Sequence, residues 1–246
     1  MLFGKRQVPV NEIFSEGFID IHSHLLPGID DGAKDLENSI ELIEKLRELG
    51  IKKLITTPHT MTDVYPNNPI IINEQLEVVK TELNARGIDD VEISAASEYL
   101  IDHDFLNKLQ QKEILSFGKK NYVLVEMSFF NPPNNLKEVL FQMQVQGYKP
   151  IMAHPERYNF YKGEIETFRE LKELGCSFQL NLLSLTPQYG KHVQKTSYKL
   201  LEKGLYDFVG TDTHHTGHTA LLNTIATKKN KKWLQPLIEN NKNILD

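Results

Sequence analysis

Residues 18–50, FIDIHSHLLPGIDDGAKDLENSIELIEKLRELG, decide how the rest of the chain is read. Residues 18–21 form a short run, apolar but for Asp20, of the kind a largely buried strand needs, and it stops at His22-Ser23-His24. A turn-rich loop follows, Pro27-Gly28-Ile29-Asp30-Asp31-Gly32. Leu36, Ile40, Ile43, Leu46 and Leu49 then recur at helical spacing, with Asp35 placed to cap the first turn and Gly50 to close the last. Strand, polar loop and helix in that order make one βα unit, so the next strand is expected to run parallel to the first.

The same grammar repeats to the end. Six further strand-like runs fall at residues 51–57, 91–95, 122–125, 149–153, 177–181 and 207–211. Between them, helices are expected over 70–86, 136–146, 164–174 and 193–203, each stopped by a glycine suited to a left-handed cap: Gly87, Gly147, Gly175 and Gly204. A shorter helix is expected around 105–110. From Leu221 on, the pattern reads as a closing helix, a solvated Lys-rich turn over 228–232 and an amphipathic segment over 233–238. No repeat, low-complexity tract or long linker interrupts the series, and 246 residues fit the roughly 200–250 of a single α/β barrel. The expectation is one domain over 1–246, an α/β chain folded as a seven-stranded (β/α)7 barrel.

Bulk composition narrows the function. A chain 40% hydrophobic and 25% charged has the make-up of an ordinary globular protein. Its net charge of -5 argues against nucleic acid or an anionic membrane as partner. Cys176 is the single cysteine, which excludes an internal disulfide and a thiolate-rich zinc cluster and suits a reducing cytoplasm. The first 17 residues lack the apolar core of a signal peptide, and no stretch approaches the ~18 apolar residues of a membrane span. Dinucleotide, P-loop and serine-hydrolase motifs are absent, and Leu182 stands where a cysteine phosphatase loop after Cys176 would carry arginine.

In a βα barrel, chemistry sits in the loops at the C-terminal ends of the strands. Here the successive runs end in His22-Ser23-His24, Pro58-His59, Ser97-Glu98, Val125-Glu126, His154-Pro155-Glu156-Arg157, Leu180-Asn181 and Asp212-Thr213-His214, so six of the seven deliver a metal-type side chain. His22 and His24 lie two apart on extended chain and project to the same face, where both can grip one ion. Asp31 sits in a loop flexible enough to return a carboxylate over the ions, while Asp30 suits the turn itself. Imidazole and carboxylate donors without sulfur favour manganese, iron or zinc over calcium or magnesium. The four carboxylates Asp31, Glu98, Glu126 and Asp212 leave three divalent ions with a net positive cage for an oxyanion, and such ions, two or three of them, turn water into a nucleophile near neutral pH. Arg157 can add a bidentate fork on phosphate; its alternative is an ion pair with Glu156.

The ordered set His22-x-His24, His59, Glu98, Glu126, His154 and Asp212-x-His214 resembles the PHP (polymerase and histidinol phosphatase) superfamily, whose barrels are distorted and hold three metals. The stretches IDIHSHLLPGIDDGAKD, TTPHT, SEYL, VEM, AHPERY and GTDTHH are most similar to the manganese-dependent bacterial tyrosine phosphatases of capsule and exopolysaccharide synthesis. The resemblance implies one ion on His22, His24, Glu98 and Asp212, with Glu98 bridging to a second on Glu126 and His154. Asp31, His59 and His214 would hold a third, and Arg157 of the H-P-E-R motif would bind phosphate. One departure stands out: relatives carry a second arginine shortly after D-x-H, whereas this chain has Thr216-Gly217-His218-Thr219, leaving His218 or His215 as candidate replacements.

The expected activity is hydrolysis of protein phosphotyrosine by a metal-bound hydroxide, with Arg157, His154 and Asp212 as the central residues and Phe129, Phe130, Tyr158 and Tyr161 available to pack on the phenyl ring. The expected partner is an autophosphorylating bacterial tyrosine kinase. Histidinol phosphate or another small monoester is the alternative substrate, and a catalytically silent scaffold the alternative from another class. His103 and His192 are expected outside the site.

Overall fold

The computed structural model describes residues 7–14, 17–161 and 163–246. Part of the N-terminal stretch read for a targeting signal lies outside these residues. All seven expected runs contain strand, and every strand pairs in parallel. In chain order they are β1 (Ile19–Asp20), β2 (Lys53–Thr56), β3 (His59–Thr60), β4 (Glu92–Ala95), β5 (Glu98–Leu100), β6 (Tyr122–Glu126), β7 (Lys149–Ala153), β8 (Ser177–Asn181) and β9 (Phe208–Gly210).

They form two sheets rather than one closed sheet, ordered β1-β2-β4 and β3-β5-β6-β7-β8-β9. The break has a local cause. Thr56 opposes Ala95 and His59 opposes Glu98, so the register is the same on both sides of the gap. Between them stands Pro58, which has no N–H for a ladder bond. Among the described residues, the far seam between β9 and β1 has no ladder but the isolated bridge Ser23–Thr213 and loop bonds such as Asp212 N to His22 O at 2.7 Å. Asp20 reinforces it by accepting from Thr211 N at 2.9 Å and Thr211 Oγ1 at 2.6 Å.

Helices cover the outer side: α1 (Leu36–Glu48), α2 (Pro69–Ala85), α3 (Phe105–Gln111), α4 (Leu136–Val145), α5 (Ile165–Glu173), α6 (Lys191–Glu202), α7 (Thr216–Leu222) and α8 (Lys228–Lys242). Asp35 caps α1 by accepting from Asn38 N at 2.9 Å. The tail differs from the sequence reading: the lysines of 228–232 are no turn but the first turns of α8, capped by Thr227. Lysine is a good helix former, and the buried Asn230, Leu234, Leu237, Ile238 and Asn241 give the segment one packed face. No helix among the described residues is long and apolar enough to cross a membrane.

The apolar core has two parts. A small cluster including Ile19, Ile21, Ile55, Leu124, Ile151 and Ala153 packs among the strands, and a large one fills the space between strands and helices. With both sheet faces covered, polar side chains in strands have one place left to meet, the C-terminal end.

Candidate metal centre

Nine side chains from six strand ends and the loop after β1 converge there. His22 and His24 bring their Nε2 atoms to 3.3 Å of each other. His22 Nε2 is 3.2 Å from both Glu98 Oε2 and Asp212 Oδ1, and His24 Nε2 is 3.5 and 3.4 Å from the same two atoms. Across β6, His154 Nε2 lies 3.0 Å from Glu98 Oε1 and 3.9 Å from Glu126 Oε2. His59, the register partner of Glu98, sets its Nδ1 3.2 Å from Glu98 and 3.1 Å from Glu126. Its Nε2 faces Asp31 at 3.4 Å, as does His214 Nε2 at 3.5 Å. Ligand atoms within 4.8 Å of one another form four overlapping groups: His24-Asp31-His59-His214, His22-His24-Asp212, His22-Glu98-His154 and His59-Glu98-Glu126.

A surrounding layer of acceptors aims the imidazoles. Gln179 Oε1 takes the Nδ1 hydrogen of His22 at 2.8 Å, Asp30 Oδ2 that of His24 at 2.8 Å, and the Asp212 carbonyl that of His214 at 2.9 Å. Because these oxygens can only accept, the ring proton stays on Nδ1 and the neutral imidazole turns its Nε2 lone pair inward. Asp30 does more than the turn role the sequence suggested. It accepts from Gly32 N at 2.9 Å, as a turn aspartate does, and also from His59 N at 3.1 Å. Close packing constrains two glycines: a Cβ on Gly32 would meet His24 O at 2.2 Å, and one on Gly210 would meet His22 Cβ at 2.6 Å. His154 and Asp212 hold positive φ, 34° and 52°, a conformation costing non-glycine residues about 1–3 kcal/mol and usually retained where function needs it.

The electrostatics favour cations. Burial pushes the His22 imidazole down, yet the charges of Glu98 and Asp212 carry it up to about 9. His24 is likewise raised well above the usual range, against burial, by Asp30 and Asp212. Burial raises Glu98 and Asp212, but the histidines around them hold both well below the usual carboxylate range. His59 Nδ1, Glu98 Oε2, Glu126 Oε1 and His154 Nδ1 are buried without a hydrogen-bond partner. His59 Nδ1 lies 3.2 Å from Glu98 Oε2 and 3.1 Å from Glu126 Oε1, an imidazole nitrogen and two carboxylate oxygens aimed at a shared centre. Buried carboxylate and imidazole atoms left without partners are costly unless a cation joins them, so these donors fit divalent metal ions.

Above the donors opens a cavity of about 380 Å³. Arg157 stands in its wall, its Nη1 3.1 Å from Asp212 Oδ2. The alternative pairing with Glu156 does not form: Glu156 is buried and accepts from Asn181 N at 3.1 Å and Tyr206 Oη at 2.9 Å. Of the four aromatics expected at the mouth, Phe129 lines the cavity, whereas Phe130 points to solvent at 90% exposure and Tyr158 is buried with its Oη accepting from Met127 N. Tyr161 lies against a separate groove beside α5. Sequence reasoning missed Tyr65, stacked on His59 at 5.8 Å, and Tyr189. Neither has a local signal; each reaches the cavity from a loop. His103 and His192 lie outside, while His215 and His218 line the cavity.

Residues 18–245 match the family described as capsular polysaccharide synthesis, CpsB/CapC. The chain belongs to the CpsB/CapC family. It is similar to the tyrosine-protein phosphatase YwqE of Bacillus subtilis (strain 168), 32% identical over 197 residues that cover 80% of this chain and 77% of the relative. The tyrosine-protein phosphatase CpsB of Streptococcus agalactiae is 30% identical over 202 residues, 80% of this chain and 83% of that one. Among solved structures it is similar to a chain from the crystal structures of YwqE and Streptococcus pneumoniae CpsB, described as unique metal-dependent tyrosine phosphatases. That match has a TM-score of 0.82 at 30% identity and covers 92% of this chain and 94% of the other. A phosphotriesterase homology protein from Escherichia coli shares the fold alone, with TM-score 0.58 at 14% identity over 94% of this chain and 99% of that one.

Within this CpsB/CapC chain, the departure after D-x-H falls at the cavity. His218 N–H closes the first turn of α7 on His215 O, and His218 Nδ1 sits 3.2 Å from the Asp212 carbonyl and 3.3 Å from His214 N. Burial, then the neighbouring His215 and His214, push its imidazole down to about 4, so it is a neutral hydrogen-bonding group.

Proposed function

We propose that this chain is a metal-dependent protein-tyrosine phosphatase acting in capsule or exopolysaccharide synthesis. The observation that carries the reading is the convergence of nine histidine and carboxylate side chains beneath a cavity whose wall holds a partly buried arginine. In this reading His22, His24, Glu98 and Asp212 would hold one ion, Glu98 with Glu126 and His154 a second, and Asp31, His59 and His214 a third. Manganese is the proposed metal; iron and zinc meet the same donor chemistry. Bound ions supply charge neutralisation on the phosphoryl oxygens and lower the pKa of water at the site.

The protein's own groups do the rest. Gln179, Asp30 and the Asp212 carbonyl keep three imidazoles in one tautomer. Arg157 offers its remaining N–H donors to the phosphate oxygens, and His218 offers a neutral contact beside it. Phe129 and Tyr65 flank the cavity with apolar surface for a phenyl ring. As the bond from water oxygen to phosphorus forms, the bond to the phenolic oxygen breaks, releasing tyrosine and phosphate.

We further read the two sheets as the interrupted wall of one distorted seven-stranded (β/α)7 barrel of PHP type, and residues 1–246 as one cytoplasmic domain. The proposed substrate is an autophosphorylated bacterial tyrosine kinase, recognised through its phosphotyrosine. Purified protein loaded with manganese tests the activity against a phosphotyrosine peptide and histidinol phosphate, before and after chelation. The peptide should show the higher kcat/KM and lose turnover on chelation; a far higher kcat/KM for histidinol phosphate would overturn the substrate assignment.

A further inference from the structure

The Arg157 guanidinium is held by more than its carboxylate. Its Cζ lies 4.6 Å from the centroid of the Phe129 ring and 4.3 Å from that of Tyr189, both within reach for cation–π attraction. Tyr189 is in turn tied down: Asn181 Nδ2 donates to its Oη at 3.3 Å. The second Nδ2 hydrogen goes to Asp212 Oδ2 at 2.6 Å, the same oxygen that accepts from Arg157. Asn181 cannot flip, because its Oδ1 accepts from Leu183 N at 2.9 Å and a reversed amide would set NH2 against that donor. Asn181, Asp212, Arg157 and Tyr189 thus form a closed ring of contacts. Only one of the five guanidinium donors is used within it among the described residues.

We infer that Asn181 and Tyr189 are positioning residues: Tyr189 holds the Arg157 guanidinium by its ring, Asn181 pins Tyr189 and Asp212 Oδ2, and together they keep the free N–H groups aimed at an incoming phosphate oxyanion. Neither residue belongs to the candidate ligand groups. The inference rests on the proposed phosphatase reading and on Arg157 as its phosphate-binding group. A preorganised fork binds an anion more tightly than a mobile one because less rotamer freedom is lost on binding. An ordinary packing role for Tyr189 makes a different prediction, since it would alter stability without touching phosphate affinity.

The test measures inorganic phosphate binding to the manganese-loaded protein by calorimetry, and as competitive inhibition of an aryl phosphate, with metal content and thermal unfolding followed in parallel. Arg157→Ala should weaken phosphate by about tenfold or more, as loss of a charge-assisted hydrogen bond does. Tyr189→Leu should weaken it by about three- to tenfold, the range of a lost cation–π contact, with metal content unchanged. Tyr189→Phe keeps the ring but loses the Asn181 bond, and should fall between the unaltered protein and Tyr189→Leu. Tyr189→Leu placed on Arg157→Ala should add nothing, since Tyr189 acts through the arginine. Unchanged phosphate affinity in Tyr189→Leu, or fully additive losses in the double variant, overturns the inference while leaving the phosphatase reading standing. An unaffected Arg157→Ala would instead remove the role of Arg157 itself. Asn181 is fully buried, so its replacement risks misfolding; Tyr189 lies in a turn and is only partly buried, so its variants decide the question.

Discussion

Asp30 offers the sharpest perturbation, because it touches the proposed cage without supplying a ligand. Its carboxylate serves three donors, the His24 ring at 2.8 Å and the backbone N–H groups of Gly32 and His59 at 2.9 and 3.1 Å. In Asp30→Asn either orientation of the amide sets an NH2 group against a donor. If that group faces His24, the imidazole must move its proton to Nε2 and turn an N–H towards the ions. Loss of an outer-layer partner of this kind typically costs about 10–100-fold in metal affinity. That is about 1.4–2.7 kcal/mol of binding free energy. Stability of the metal-stripped protein should fall as well, by about 1–3 kcal/mol, because the Asp30 side chain is buried and an NH2 group set against one of its donors leaves that donor unpaired. Competition with a fluorescent chelator gives the manganese Kd, and thermal unfolding of stripped protein gives the second number. Asp30→Asn with unchanged manganese affinity would refute the orienting role and leave Asp30 as a turn residue only.

Three further perturbations probe the site and the fold. His154→Ala and Asp212→Ala should each lower turnover by at least about 100-fold with the fold retained, whereas His103→Ala, at an exposed position away from the cavity, should be nearly neutral in the same assay; equal effects would contradict the ligand set. Asn241, buried on α8, donates to Ile19 O and Val209 O at 2.8 and 2.7 Å and accepts from Val209 N at 3.1 Å, across the β1–β9 seam. Its replacement by Leu leaves three backbone groups unpaired, for a loss of about 3 kcal/mol. By calorimetry that is a Tm lower by about 6–12 °C, and a drop under about 3 °C would show that the seam does not depend on it. Burial pushes the Cys176 thiol up to about 12, so at pH 8 it stays protonated and folded protein should resist alkylation that denatured protein undergoes; rapid labelling of the folded state would contradict its packing.

The site was far more legible in the sequence than its supports. Histidines and carboxylates at strand ends stand out because apolar parallel strands otherwise end in arbitrary loop residues, and Asp212, His154 and Glu98 meet as that pattern implies. The orienting groups carry no comparable signal. Gln179 and His22 are 157 residues apart, Asn181 and Asp212 31 apart, and only the folded chain makes them neighbours. Phe130 and Tyr158 flank the right motifs, yet backbone direction sends one to solvent and the other inward, while Tyr65 and Tyr189 arrive from loops with no periodicity. Strand count failed at Pro58 because a missing N–H interrupts a ladder without changing its register. The lysines of 228–232 misled for a simpler reason: charge density suggested a turn, but helix propensity and one buried face outweigh it.

The proposed cage stands or falls on where cations bind. Crystals of the manganese-loaded protein, measured at the manganese absorption edge, should give two or three anomalous peaks beneath the Arg157 wall, within bonding distance of His22, Glu98, His154 and Asp212. Peaks elsewhere on the surface, or none in that cavity at saturating manganese, would contradict it.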